Sequence, residues 1–313
     1  MSLAIVFPGQ GSQSVGMLAA LAAAEPVVQE TFAEASAVLG YDLWALCQQG
    51  PEAELGATER TQPAMLTAGV ATWRVWRRRG GPMPVAMAGH SLGEYTALVC
   101  SEALDFRTAV DLVRYRGQVM QRAVPLGTGA MAAILGLDDA ELDAACREAA
   151  GGEVVEPVNF NAPGQVVIAG HASAVSRAIE AAKARGAKRA VALPVSVPSH
   201  SSLMLGAADE LAARLAGVDL RMPNVPAVYT VDVKCHASPD GIRASLREQL
   251  FKPVRWADTV RAMLASGVTT LVECGPGKVL TSLNRRIERR PDLKLLAIDD
   301  PESMTAALAA AGV

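Results

Sequence analysis

The sequence predicts an α/β protein with a mainly parallel sheet and a second, smaller βαββαβ unit set into it. Short apolar runs at 3–7, 84–88, 269–274 and 294–298 alternate with longer amphipathic stretches and glycine-rich turns, the rhythm of strands buried beneath helices. The middle of the chain follows another order. Residues 131–137 fit a strand and 138–150 a helix capped by Asp138, and 154–160 fit a second strand. After the turn residues Asn161-Ala-Pro-Gly164 come a strand at 165–169, a helix at 172–185 and a strand at 189–195. That order is the ferredoxin-like one. It defines an inserted subdomain at 126–196 within a larger unit made of 1–125 and 197–313.

Each element has a local reason. The first apolar run stops at Pro8-Gly-Gln-Gly-Ser-Gln13 and the second at Gly89-His-Ser-Leu-Gly93, where glycine and proline end strands. Helices follow at 94–100 and 105–122, the second with seven apolar residues on one wide arc at about 100° per residue. Gly275-Pro-Gly277-Lys278 fits a turn leading into a helix near Val279, and a terminal helix follows Asp300. In such a fold the loops after the carboxyl ends of the parallel strands are where chemistry collects.

Composition excludes several classes. Half of the 313 residues are hydrophobic and 19% are charged, values of a globular chain able to bury a core. Lys and Arg number 29 against 32 Asp and Glu, a formal charge of −3, which argues against nucleic acid or a membrane surface as the main partner. The five cysteines, Cys47, Cys100, Cys146, Cys235 and Cys274, are scattered and lack a Cys-x-x-Cys pair, so buried free thiols in a reducing compartment are expected. The N-terminus has no basic region and no apolar run is long enough to span a bilayer. A cytoplasmic, monomeric protein is the expectation.

Gly89-His90-Ser91-Leu92-Gly93 matches the nucleophile elbow G-x-S-x-G, in which a sharp strand-to-helix turn presents the serine hydroxyl. The alternative is a helix-capping serine between two chance glycines. A serine nucleophile needs a base. His90 sits on the turn itself and fits a structural role, His171 lies in the insertion, and His236 lies in a polar loop. His200 follows Pro194-Val-Ser-Val-Pro198-Ser199 at a rigid junction before a helical pattern, which makes it the candidate base beside the plainer reading of a packed histidine.

Arg107 and Arg122 fall outside the apolar arc of 105–122, Arg114 lies at its edge and Arg116 falls within it. A guanidinium cannot shed its proton, so a buried one requires acceptors or an anion. Either a protein carboxylate or a substrate carboxylate fits. Two other motifs carry nothing: Gly127-Thr-Gly129-Ala-Met-Ala132 precedes a strand instead of joining strand to helix, and Gly275-Pro-Gly277-Lys278 lacks the rest of a phosphate loop. No metal-ligand spacing is present. Arg77 to Arg79 and Arg285, Arg286, Arg289 and Arg290 fit solvated helix ends, surfaces that also suit an acidic partner.

Taken together these residues resemble the discrete malonyl-CoA:acyl carrier protein transacylases of fatty acid synthesis. The landmarks occur in family order over nearly the whole chain: Phe7-Pro-Gly-Gln-Gly-Ser-Gln13, Gly89-His-Ser-Leu-Gly-Glu-Tyr95, Arg114-Tyr-Arg-Gly117, Gly127-Thr-Gly-Ala-Met-Ala132, Val158-Asn-Phe-Asn161, Val197-Pro-Ser-His-Ser201, Gln249 and Glu273-Cys-Gly-Pro-Gly-Lys278. The resemblance implies an α/β-hydrolase-like parallel-sheet core with an inserted ferredoxin-like subdomain. It implies Ser91 as nucleophile, His200 as general base and then acid, and Arg116 as holder of the malonyl carboxylate. The backbone N–H groups of Gln10 and Leu92 would form the oxyanion hole, an oxygen of Gln249 would orient His200, and Asn159 and Asn161 would support the cleft. No cofactor is expected to be bound permanently; coenzyme A arrives as the thioester substrate malonyl-CoA, and phosphopantetheine arrives on acyl carrier protein, a transient and partly electrostatic partner. The competing expectation is a serine thioesterase or esterase that delivers the acyl group to water.

Overall fold

The computed structural model describes residues 2–195 and 197–313; Met1 and Ser196, the first residue of the larger unit and the last of the expected insertion, lie outside them. One sheet contains β1 (Leu3–Phe7), β2 (Ala86–Gly89), β7 (Ala227–Val228), β8 (Thr270–Cys274) and β9 (Lys294–Ile298) in the order β7-β2-β1-β8-β9. All four pairings are parallel. The other sheet is antiparallel, with β3 (Gly129–Leu135), β4 (Val155–Ala162), β5 (Gln165–His171) and β6 (Arg189–Ala192) in the order β4-β5-β3-β6. Helices Asp139–Ala150 and Ala172–Ala184 connect its strands.

Alternation along β1 shows why the parallel sheet is covered on both faces. Leu3, Ile5 and Phe7 enter a core shared with helices Val27–Leu39, Thr58–Arg78 and Phe106–Arg122, whereas Ala4 and Val6 enter a second core with Trp256, Val260 and Leu283. Successive side chains of a strand point to opposite faces, so a run buried throughout needs apolar partners on each side.

The expected runs all form strands, most with shifted ends, but β7 matches none of them, because two residues are too short to show an apolar run. β3 starts at Gly129 because it pairs with His171, and it stops before Gly136, whose φ of +81° turns the chain. The strand expected at 189–195 is shorter, since its ladder with β3 covers only Arg189 to Ala192. One expectation about cysteines is corrected: Cys235 is exposed while the other four are buried, because it lies in the polar loop before helix Pro239–Glu248 and not on an apolar face.

The antiparallel sheet is tied to the larger unit through β4. Val254 donates its N–H to the Val158 carbonyl at 2.8 Å and accepts from Phe160 N–H at 2.9 Å, forming a parallel bridge beside Asn159. Glu156 accepts from the N–H and hydroxyl of Ser202, each at 2.8 Å. Among the described residues no helix is long and apolar enough to cross a membrane.

Candidate active site

The parallel register Phe7↔Gly89 sets the loops after β1 and β2 side by side at the carboxyl edge of the sheet. His90 N–H donates to the Phe7 carbonyl at 3.0 Å, and helix Gly93–Cys100 begins two residues after Ser91. The turn is tight: a Cβ on Gly89 would lie 1.8 Å from the Gly93 carbonyl carbon. Ser91 itself has φ +51°, a left-handed conformation that side chains other than glycine rarely take and that collects at functional sites. The loop carrying Gln10 presses on the same turn, where a Cβ on Gly9 would meet the His90 carbonyl oxygen at 2.5 Å. Neither Gln10 N–H nor Leu92 N–H donates to a protein acceptor among the described residues.

Arg116 lies on helix Phe106–Arg122 and is 1% exposed, as its place in the apolar arc predicts. Nη1 donates to Gln62 Oε1 at 2.9 Å; Nη2 donates to Gln249 Oε1 at 2.8 Å and to Ser91 Oγ at 3.2 Å. All three acceptors are neutral. Nε is buried without a partner, and the ring of Tyr95 lies 5.5 Å from the guanidinium carbon. Glu94 acts on Arg116 electrostatically, with the Gln249 amide between them. Of the two readings of a buried arginine, the ion pair with a protein carboxylate is thus not formed.

His200, 3% exposed, has φ +68° and is held from two sides. Its N–H donates to the Leu250 carbonyl at 2.9 Å, and Nδ1 lies 2.6 Å from the main-chain oxygen of Gln249. A carbonyl oxygen only accepts, so Nδ1 carries the proton and Nε2 keeps its lone pair. Burial, then the nearby Arg116 charge, pushes the imidazole pKa down to about 3, which keeps it neutral. The Ser91 hydroxyl is bonded to Arg116, and no hydrogen bond joins it directly to His200 among the described residues.

The Gln249 side chain has a second task that the sequence reading missed. Its Nε2 donates to the Ser91 carbonyl at 2.9 Å and to the Glu94 carboxylate. Gln62, Glu94 and Thr230 were likewise not anticipated. Gln62 lies on helix Thr58–Arg78, buried around nearly its whole girth, so no polar face singles it out. Glu94 carried a signal, a carboxylate in a segment that is otherwise uncharged.

Asn161 reaches the elbow: its Oδ1 accepts from His90 Nε2 at 2.8 Å, and the His90 ring packs against Trp256. Asn159 has its main chain bridged to Val254 and its Oδ1 buried without a partner. The other two histidines are occupied elsewhere. His171 Nδ1 accepts from Val154 N–H, and His236 lies against Asp232 and the Tyr229 ring. No cluster of three metal-ligating side chains occurs among the described residues. Glu273 of the glycine-rich motif is structural, its buried carboxylate capping Leu280 and Thr281 at the start of helix Val279–Ile287.

The chain is similar along its length to known acyltransferases. The family model of the acyl transferase domain matches residues 4–296. The malonyl CoA-acyl carrier protein transacylase of Escherichia coli K12 is 62% identical over 305 residues, covering 97% of this chain and 98% of its own, and that of Haemophilus influenzae is 54% identical over 304 residues, covering 97% of each chain. Among solved structures, a malonyl-transacylase in complex with a type II PKS acyl-carrier protein superposes with a TM-score of 0.97 at 57% identity, covering 99% of this chain and 100% of that one. An acyl carrier protein S-malonyltransferase from Vibrio cholerae gives 0.94, also at 57% identity, with 98% and 100% covered. With Ser91 bonded to the buried Arg116, and both Arg116 and His200 bonded to Gln249, and with this likeness along its length, the chain belongs to the malonyl CoA-acyl carrier protein transacylases, a family of acyltransferases.

Proposed function

We propose that the chain carries malonyl from coenzyme A to the phosphopantetheine thiol of acyl carrier protein, for fatty acid synthesis, through two displacements at Ser91. The observation that carries this reading is Arg116: a buried guanidinium 3.2 Å from the Ser91 hydroxyl with only neutral protein acceptors. A malonyl carboxylate supplies the missing anion and takes two parallel N–H bonds. It also displaces Ser91 from Arg116 and frees the hydroxyl to turn toward His200.

Ser91 Oγ then attacks the thioester carbonyl while His200 Nε2 takes its proton. The oxyanion lies against the unused N–H groups of Gln10 and Leu92, where one donor is worth on the order of 10²–10³ in rate. Collapse expels the coenzyme A thiolate, which recovers the proton from His200 and leaves malonyl-Ser91. The carrier thiol repeats the sequence in reverse, a ping-pong scheme. Gln249 orients His200 through its main-chain oxygen, a neutral group where hydrolase triads use a carboxylate; the reactivity of a thioester suits this weaker support. No permanently bound cofactor has a part in this scheme.

We read the larger unit as α/β-hydrolase-like, on the strand–elbow–helix arrangement around Ser91. Residues 126–196 are read as the ferredoxin-like insertion, on the sheet order β4-β5-β3-β6; through Asn161 and Asn159 it supports the cleft. Carrier docking is partly electrostatic and weakens with salt. The thioesterase alternative has no observation in its favour, and each relative named above is a transacylase or malonyltransferase.

The test is intact mass and peptide mapping after mixing the chain with malonyl-CoA alone. A malonyl adduct on Ser91 that disappears when carrier protein is added is the expected result. Free malonate without an adduct would establish the hydrolase instead.

A further inference from the structure

Glu94 stands three residues after Ser91 on the first turn of helix Gly93–Cys100, yet it is 2% exposed. One carboxylate oxygen accepts from Thr230 N–H and from Thr230 Oγ1, each at 2.7 Å. The other accepts from Gln249 Nε2 at 2.5 Å. The same Nε2 donates to the Ser91 carbonyl, and Gln249 Oε1 accepts from Arg116 Nη2 at 2.8 Å. A carboxylate and a carbonyl only accept and a guanidinium only donates, so the amide has one consistent orientation among them. Thr230 in turn lies just beyond β7, and its carbonyl accepts from Arg255 N–H, which ties the carboxylate to the edge of the sheet.

We propose that Glu94 is a positioning residue for carboxylate recognition: it clamps the Gln249 amide with its oxygen on Arg116, which aims the guanidinium's remaining N–H groups at the donor's carboxylate. The proposal rests on the reading of Arg116 given above. Glu94 touches neither Arg116 nor Ser91 Oγ; it acts through Gln249. Replacing it by glutamine keeps size but sets a donor against either Thr230 or Gln249, and the second arrangement lets the amide turn its N–H groups toward Arg116. That orientation opposes donor to donor and pushes the guanidinium from its place.

The experiment measures kcat/KM of the full chain for malonyl-CoA and for acetyl-CoA, a donor without the carboxylate, in Glu94→Gln, Arg116→Ala and the double variant. For Glu94→Gln the malonyl value falls about 10- to 100-fold, several times more than the acetyl value. In the Arg116→Ala background the same substitution leaves the malonyl-to-acetyl ratio within about twofold, as expected when both act through one network. Parallel losses for the two donors, or an equal shift of the ratio without Arg116, overturn the proposal. A parent chain with no preference for malonyl overturns the reading of Arg116 itself, whatever Glu94 does. Should Glu94→Gln fail to fold, Thr230→Ala removes one donor from the carboxylate and is read the same way, with an expected shift of about 3- to 10-fold.

Discussion

Truncating Arg116 to alanine is the perturbation whose size follows most directly from the site. The malonyl carboxylate is read as taking two charge-assisted bonds from a guanidinium that is 1% exposed. Bonds to charged groups contribute about 1.5–3 kcal/mol each, so losing both removes about 3–6 kcal/mol of recognition. At about 1.4 kcal/mol per decade, kcat/KM for malonyl-CoA falls by about 10²–10⁴. Acetyl-CoA behaves oppositely, because a neutral acyl group leaves the buried guanidinium unanswered, a penalty of about 1–3 kcal/mol that the alanine removes. Arg116→Lys keeps the charge as a point on a flexible stem and loses the fork, so it lies between the two. The assay is single-turnover acylation of Ser91 followed by intact mass, with thermal unfolding to confirm that each variant is folded. A folded Arg116→Ala chain that still prefers malonyl-CoA over acetyl-CoA to the original extent would refute the reasoning.

Three further outcomes are expected. His200 is held down to about 3, mainly by burial, against an ordinary value of 6.5. The unfolded chain therefore takes up a proton that the folded site refuses, and the stability His200 contributes is complete above pH 6.5 and is lost as pH falls toward 3. Its ring signals in an NMR titration stay those of the neutral imidazole from pH 8 to about 5, and a midpoint near 6.5 would contradict the burial argument. Asn161→Ala leaves the part-buried His90 Nε2 without its acceptor, which lowers stability by about 0.5–1.5 kcal/mol in denaturant unfolding; an unchanged midpoint would show that the contact is not made. Gly89→Ala places a methyl on the Gly93 main chain, so the elbow must open and acylation of Ser91 is lost; a variant acylated at the parent rate would mean the turn is looser than described.

Much of this was legible before the structure. Ser91 was identifiable because an elbow is a local object: strand, two glycines and helix lie within one stretch of chain. Arg116 was identifiable as an anomaly because helical periodicity maps sequence onto a face. What the arginine was for could not be read that way. Its neutral partners come from Gln62, 54 positions away, and from Gln249, 133 positions away, and nothing local distinguishes a buried arginine with a protein carboxylate from one without. His200 was selected among four histidines by its setting between prolines and a helix, but the proton on Nδ1 follows from a carbonyl 49 positions away.

The sequence by itself determined the class of fold, most of the strands along the chain, the elbow motif around Ser91 and the family, because each depends on local spacing or on motifs kept in order. Only the tertiary structure decided that Glu94, Gln249 and Arg116 form one chain of donors and acceptors, that the insertion reaches the elbow through Asn161, and that Cys235 faces solvent. Those facts depend on which distant segments meet once both faces of the sheet are covered. Burial then makes each unpaired polar group there costly, and Arg116, buried with neutral acceptors only among the described residues, is the group on which the proposed carboxylate recognition rests.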